Sequence, residues 1–295
     1  MKSNLMSYSP TPHPGAFWEI RVHDLEIDPS LTGLCVGYEL KKWRAKEFAA
    51  HMMEWIPEFA LTSSELASVS PGNMVRVMRE GARKIYDSEK FENRGEFSEL
   101  FLHAAVRTVF QSEPAISKIY YKTSANDTVK GFDAVHVTGP PDDMELWIGE
   151  VKFYKDIGAA IRDVVAEIGA HTQRDYLKDE FMWIKGKVDH ASAHAEQLRK
   201  LLSPNVSLDA VFKRACIPVL LTYESNCVAS YDECSAEYCD AFDQELRTNH
   251  ERFRKKLGEI ALPQDLVIRL FLLPLHIKEA LIEALDENLR AWKNR

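Results

Sequence analysis

The clearest periodic stretch of the chain runs from Gly95 to Phe110. Phe97, Leu100, Phe101, Ala104, Ala105 and Val109 fall on one broad apolar face, which predicts a helix. Three strands are predicted after it: Ile116–Tyr121, Phe132–Val137 and Met144–Phe153. A polar loop, Ser124–Lys130, separates the first two, and the turn cluster Thr138-Gly139-Pro140-Pro141 separates the last two. Helical spacing returns over Asp156–Gly169, with Ile157, Ile161, Val164, Val165 and Ile168 on one side. Helices are predicted at Gln173–Trp183 and Ala191–Leu202, ending at Ser203-Pro204-Asn205. Cys216–Tyr223 and Leu266–Leu273 are apolar runs short enough for buried strands. Asp232–Leu257, stopped by Gly258, and Ile277–Trp292 complete the pattern as helices.

The first ninety residues are less regular. Phe17–Val22 and Leu34–Tyr38 read as short strands, Lys41–Ile56 as a helix ended by Pro57, and Met74–Tyr86 as a helix opened by the turn Pro71-Gly72-Asn73. The expected organisation is an irregular and helical extension over 1–90, then an α/β core over 91–295. That core carries a helical insertion at about 173–205 and C-terminal strand–helix additions. Its expected architecture is a mixed central sheet flanked by helices.

Composition narrows this picture without redirecting it. The chain has 295 residues, 45% of them hydrophobic and 28% charged, enough for a substantial core. Net charge is −8, so a nucleic-acid ligand would need a local basic surface or a partner that delivers it. Met1 to Asn4 lead into a Ser/Pro/His-containing stretch, and the longest apolar run, Leu266–Leu275, contains Arg269 and is too short to span a bilayer. A cytoplasmic protein with no membrane partner is expected. The five cysteines, Cys35, Cys216, Cys227, Cys234 and Cys239, form no CxxC pair.

Chemistry concentrates in the predicted hairpin. Glu150 and Lys152 lie two apart on a strand and so leave the same face. Asp133 begins the preceding strand, and an antiparallel hairpin sets it beside the end that carries Glu150. Two neighbouring carboxylates repel, and a divalent cation relieves the repulsion. Oxygen ligands without a Cys or His cluster favour magnesium, with manganese as a substitute, over zinc. Such an ion makes water a better nucleophile toward a phosphodiester. Lys152 would orient that water, lower its pKa or stabilise transition-state charge. Glu96 and Glu99, at i and i+3 on the preceding helix, offer a further acid, with Glu99 ranked first because the helix turns apolar just after it. Asp133, Glu150, Lys152, Glu99 and Glu96 are thus the candidate catalytic residues, and Asp133, Glu150, Val151 and Glu99 the candidate metal-holding positions.

The order helix-Glu, Gly-Phe-Asp, Glu-Val-Lys resembles the PD-(D/E)XK nuclease superfamily over residues 91–170. That resemblance implies an α-β-β-β-α-β core with Cys216–Tyr223 as its fourth strand. Three blocks, Arg94-Gly95-Glu96-Phe97-Ser98-Glu99, Lys130-Gly131-Phe132-Asp133-Ala134-Val135-His136-Val137 and Gly149-Glu150-Val151-Lys152-Phe153-Tyr154-Lys155-Asp156, resemble the HamA family, nuclease components of the Hachiman anti-phage defence system. The resemblance implies a DNA nuclease held in a heterodimer with a superfamily-2 helicase, HamB, and released when the helicase meets damaged or altered DNA. Phe132 stands where the superfamily often has proline.

Other residues carry weaker signals. His136, on the opposite strand parity from Asp133, and His103, on the Glu helix, read as packing residues. Lys155 is placed to touch a phosphate or to lie in solvent. Gln173 and Tyr176 resemble, at an unusual spacing, a Gln–Tyr pair found after the active-site helix in some nucleases. The acid-rich stretches Asp232–Glu245 and Glu279–Glu287 read as solvated faces, or as a partner surface. Two readings compete with an active nuclease: a catalytically silent nuclease-fold adaptor that docks the helicase, and a zinc-binding regulator using Cys227, Cys234 and Cys239.

Overall fold

The computed structural model describes residues 10–86, 95–116 and 131–295. An antiparallel pair, β1 (Glu19–Asp24) and β2 (Ser30–Cys35), comes first, followed by a tight hairpin of β3 (Tyr38–Glu39) and β4 (Lys42–Trp43). Helices α1 (Ala45–Met52), α2 (Ile56–Ala60), α3 (Ser63–Ala67) and α4 (Met74–Tyr86) come next. Then come α5 (Glu96–Phe110), β5 (Glu113–Ile116), β6 (Ala134–Thr138), β7 (Glu145–Phe153) and α6 (Ile157–His171); α5, β6, β7 and α6 fall where the periodicity predicts them, whereas β5 starts before the expected strand. Helices α7 (Arg174–Lys187), α8 (Ala195–Leu201) and α9 (Leu208–Phe212) separate α6 from β8 (Ala215–Glu224). The chain closes with α10 (Asn226–Ser230), α11 (Ala236–Leu257), β9 (Val267–Leu275) and α12 (Lys278–Lys293). The strand predicted at Ile116–Tyr121 lies, after Ile116, outside the described residues, as does the Ser124–Lys130 loop.

Seven strands make one mixed sheet in the order β1-β2-β9-β8-β7-β6-β5. The centre, β2-β9-β8-β7, is parallel, and both margins are antiparallel. Helices cover both faces, as parallel strands require. Along β7 the alternation is visible in the side chains. Leu146 and Ile148 enter the core shared with α6 and α11, whereas Trp147, Val151 and Phe153 enter the one shared with α1, α5 and α12. Among the described residues no helix is long and apolar enough to cross a membrane.

The N-terminal segment departs from its expected form in two places. Its strands β1 and β2 belong to the central sheet, with β2 running parallel beside β9. The helix expected over Lys41–Ile56 is divided: Lys42–Trp43 is a strand, α1 stops at Met52, and Pro57 sits in the first turn of α2. A proline costs no hydrogen bond there, so it opens a helix instead of ending one. The short helices α9 and α10 are not predicted by the sequence pattern, because one turn of helix has too few positions to show a period.

Every residue of α5 from Glu96 to Arg107 is buried, so its polar side chains need partners. Arg107 grips Glu58 of α2 with two bonds, Nε to Oε2 at 2.9 Å and Nη2 to Oε1 at 2.8 Å, and also reaches the Thr11 carbonyl at 2.9 Å. His103 Nε2 lies 3.0 Å from the same Glu58 carboxylate, His103 Nδ1 lies 3.2 Å from His136 Nε2, and His136 Nδ1 lies 2.9 Å from Ser112 Oγ. Burial favours the neutral form of Glu58, but the hydrogen bond and charge of His103, with Arg107, outweigh it and hold the carboxyl below its usual range. Burial, and the neighbouring His103 and Arg107 charges, keep His136 neutral. Both histidines are therefore structural, and the network staples the N-terminal segment to α5. Arg107→Met strands the buried Glu58 carboxylate and is expected to cost about 3–5 kcal/mol by urea denaturation. The double variant with Glu58→Gln recovers part of that loss. Equal losses in single and double variants would contradict the pairing.

Candidate active site

The site forms where β7 ends and β6 begins, at the carboxyl edge of the parallel strands, the usual place for ligands in open α/β sheets. The pairing of Ala134 with Gly149 sets Asp133 next to Glu150. The Asp133 N–H donates to the Gly149 carbonyl at 2.8 Å, and Asp133 Oδ2 accepts from the Val151 N–H at 2.9 Å. Gly149 also lets α5 approach: a Cβ there would stand 2.5 Å from Leu102 Cδ2 and 3.2 Å from the Ala134 Cβ. That approach brings Glu99, one turn before Leu102, to the site.

A cleft of about 460 Å³ opens at this edge. Its walls include Glu99 of α5, Asp133, and Val151 and Lys152 of β7. Lys155, after β7, and Lys278, the first residue of α12, complete a trio of lysines with Lys152. Lys278 donates to the Phe153 carbonyl and stands 4.6 Å from the Phe153 ring centroid; Lys155 pairs with Glu279 at 2.7 Å. In a chain of net charge −8 the cleft thus sets these three lysines beside three acids, Glu99, Asp133 and Asp156. Of the two helix acids, Glu99 lines the cleft, whereas Glu96 is buried and outside the cleft lining.

Glu150 is only 1% exposed and lies under the sheet, on the α6 face. Its carboxylate accepts from His171 Nδ1, and Lys152 donates to Glu167. The match has a geometric basis. Residues two apart on a strand are separated by about 6.6 Å, and residues four apart on a helix by about 6 Å. Because α6 runs back against β7, the pair Lys152/Glu150 meets Glu167/His171 with opposite charges facing. Burial pushes the Glu150 carboxyl up to about 7, with Asp133 and Glu167 adding to the rise and His171 opposing it. Burial alone would lower the His171 pKa, but Glu150 and Glu167 reverse this and raise it. Tyr176 stacks on His171 with ring centroids 4.4 Å apart and planes at 9°, and the Phe132 ring meets His171 edge-on at 5.4 Å.

His171 is absent from the sequence prediction: Glu167 and His171 are one turn apart in the same acid-then-base order as Glu150 and Lys152, and only the antiparallel run of α6 against β7 makes the two pairs complementary. Lys278 had no local signal, because only the β8–β9 pairing carries α12 to the cleft. Of the Gln–Tyr pair, Tyr176 reaches the His171 ring, whereas the Gln173 side chain donates to the Gly169 carbonyl at 2.8 Å on an exposed surface.

The donors around the cleft are oxygens: the carboxylates of Glu99 and Asp133, with Glu150 and the Val151 main chain adjoining. In donor chemistry they suit a hard divalent cation. Among the described residues no three His, Cys, Asp or Glu side chains are grouped to hold a metal ion. Glu150, turned onto His171, is the member out of line. The same observation leaves no three-cysteine centre at Cys227, Cys234 and Cys239, whose thiols are free.

The family model HamA matches residues 15–289 of the chain. Anti-bacteriophage protein A of Escherichia coli (strain K12) is 24% identical over 262 residues, which are 86% of this chain and 46% of that protein. The chain therefore spans about half the length of this curated relative. No solved structure matches the chain significantly.

His171→Ala leaves the Glu150 carboxylate buried without its donor, at a cost of about 1–3 kcal/mol. The sign of the pH dependence follows from the raised Glu150 pKa of about 7. At pH 8 the carboxylate is largely ionised and the loss is large; at pH 6 it is largely protonated and the loss is small. Urea midpoints of both proteins at the two pH values check this, and an equal loss at both would contradict the pairing.

Proposed function

We propose that this chain, which belongs to the HamA family, is a metal-dependent DNA nuclease that hydrolyses phosphodiester bonds as the effector of an anti-phage defence complex. The observation that carries the reading is the meeting of Glu99, Asp133 and Lys152 on one cleft, with Glu150 beside Asp133. The order α5-β5-β6-β7-α6, then β8, supports a PD-(D/E)XK core, as does the Asp…Glu-X-Lys spacing across a β-hairpin. The name of the Escherichia coli relative supports the defence role.

Asp133 and Glu99 would hold magnesium or manganese, with Glu150 and the Val151 main chain completing the set. Bound there, the ion supplies water activation and neutralises phosphate charge. Lys152, which lines the cleft and pairs with Glu167, would supply an ammonium that offsets charge developing on the phosphate oxygens. Lys155 and Lys278 hold the flanking backbone by charge. His171 fixes the Glu150 carboxylate from below, and the Tyr176 stack fixes the His171 ring. A superfamily-2 helicase partner, HamB, would restrain the nuclease until it meets its trigger.

A second reading, a silent nuclease-fold adaptor that docks the helicase, is favoured by two observations. Glu150 and Lys152 are engaged by His171 and Glu167, and no three acids are grouped on a metal position among the described residues.

Plasmid cleavage separates the two. The nuclease reading predicts magnesium-dependent cutting that Asp133→Ala, Glu150→Ala and Lys152→Ala each reduce about 100-fold or more, with Glu99→Ala weaker but below wild type. Activity indifferent to these changes would sink the catalytic assignment, and a wild-type chain inert in every state would favour the adaptor. For the partner, the free chain is expected to cut intact plasmid faster than the chain co-purified with the helicase. Equal rates would remove the restraint.

A further inference from the structure

Helix α7 carries two large apolar side chains in solvent, Met182 and Trp183, each 62% exposed. The Lys187 ammonium stands 5.0 Å from the Trp183 ring centroid. Trp183 belongs to a stripe that begins at the candidate active site. Tyr176, Glu180, Trp183 and Lys187 are spaced i, i+4, i+7 and i+11 and share one side of the helix. Tyr176 stacks on the His171 that bonds Glu150. Glu180 abuts Gly131, two residues before Asp133: a Cβ at Gly131 would stand 2.3 Å from Glu180 Oε1. Trp183 is about 10 Å farther along the helix axis than Tyr176. From Phe181 to the end of α7 the only charged residues are Lys185 and Lys187.

We propose that Trp183, with Met182 beside it and Lys187 against its ring, is a stacking platform for an unpaired base of a DNA strand that enters the Asp133–Lys152 cleft. This rests on the nuclease reading for its place in the reaction, though the binding itself does not. An exposed indole offers a π-face that any base can use, and the lysines meet the adjoining phosphates. Protein partners commonly bury about 800 Å² per side with an apolar centre. Two side chains flanked by Lys185 and Lys187 on one side and by Asp179 and Glu180 on the other are far smaller than that and fit one or two bases. The platform makes single-stranded or frayed DNA the preferred substrate, since a base stacked inside a duplex shows no free face.

The test is fluorescence anisotropy of labelled dT15 and of a blunt 15-base-pair duplex with the full chain, in EDTA so that nothing is cut. Trp183→Ala is expected to weaken dT15 binding about 5- to 150-fold, and Trp183→Phe to keep most of it. Lys187→Ala lowers affinity and reduces the salt slope by about one. Duplex binding changes little in every variant. A wild-type chain that does not bind dT15, or Trp183→Ala binding it as tightly as wild type, overturns the platform. So does a Trp183→Ala variant that keeps dT15 binding and loses co-purification with the helicase, since the face is then a protein contact. Magnesium-dependent plasmid cutting by wild type is scored separately, so loss of the platform and loss of the nuclease reading are distinguishable.

Discussion

Two hydrogen bonds from one residue hold the site in register. The Asp133 N–H goes to the Gly149 carbonyl and its Oδ2 takes the Val151 N–H, so Asp133 brackets Glu150 on β7 with backbone and side chain together. β7 is an interior strand, fixed by β6 on one side and β8 on the other, and cannot slip by one residue without turning Leu146 and Ile148 out of their core. Asp133 is thus tied to the most constrained strand of the sheet. Glu99 depends on the same stretch, because the missing side chain of Gly149 is what admits Leu102 and brings α5 close.

The electrostatics follow from that register. Glu150 and Lys152 share a face, and α6 answers them with His171 and Glu167. Glu150 is the most buried member and bears the burial penalty, whereas Lys152 and Asp133 reach the cleft. The lysines contributed by β7, the loop after it and α12 bring positive charge to the cleft of an acidic chain. Net charge of the whole chain therefore does not describe the field at the carboxyl edge of the sheet.

Much of this was legible in the chain itself. The α5, β7, α6 and β8 segments have periods long enough to declare their type, and the acid–acid–lysine set needed only the rule that alternate strand residues share a face. What was hidden depends on partners distant in sequence. β2 is buried throughout and shows no alternation, so nothing local announces that it lies beside β9. Pro57 reads as a stop when only the preceding helix is considered, and as a start once Arg107 is seen to need Glu58 just beyond it. His171 and Lys278 reach the site through α6 register and sheet order, neither of which has a local signature. The choice between Glu96 and Glu99 was open in sequence because i and i+3 share a face; the packing of α5 puts Glu99 on the cleft.

The central claim is that the junction of β6 and β7 holds a divalent cation. Iron-mediated affinity cleavage of the full chain tests it most directly, because ferrous ion bound in place of magnesium, supplied with ascorbate and hydrogen peroxide, oxidatively cuts the nearest main chain. The account predicts peptide cuts near Glu99, Asp133 and Val151, suppressed by excess magnesium and lost in Asp133→Asn. Cuts confined to other segments, or cuts at these positions that persist in Asp133→Asn, would contradict it.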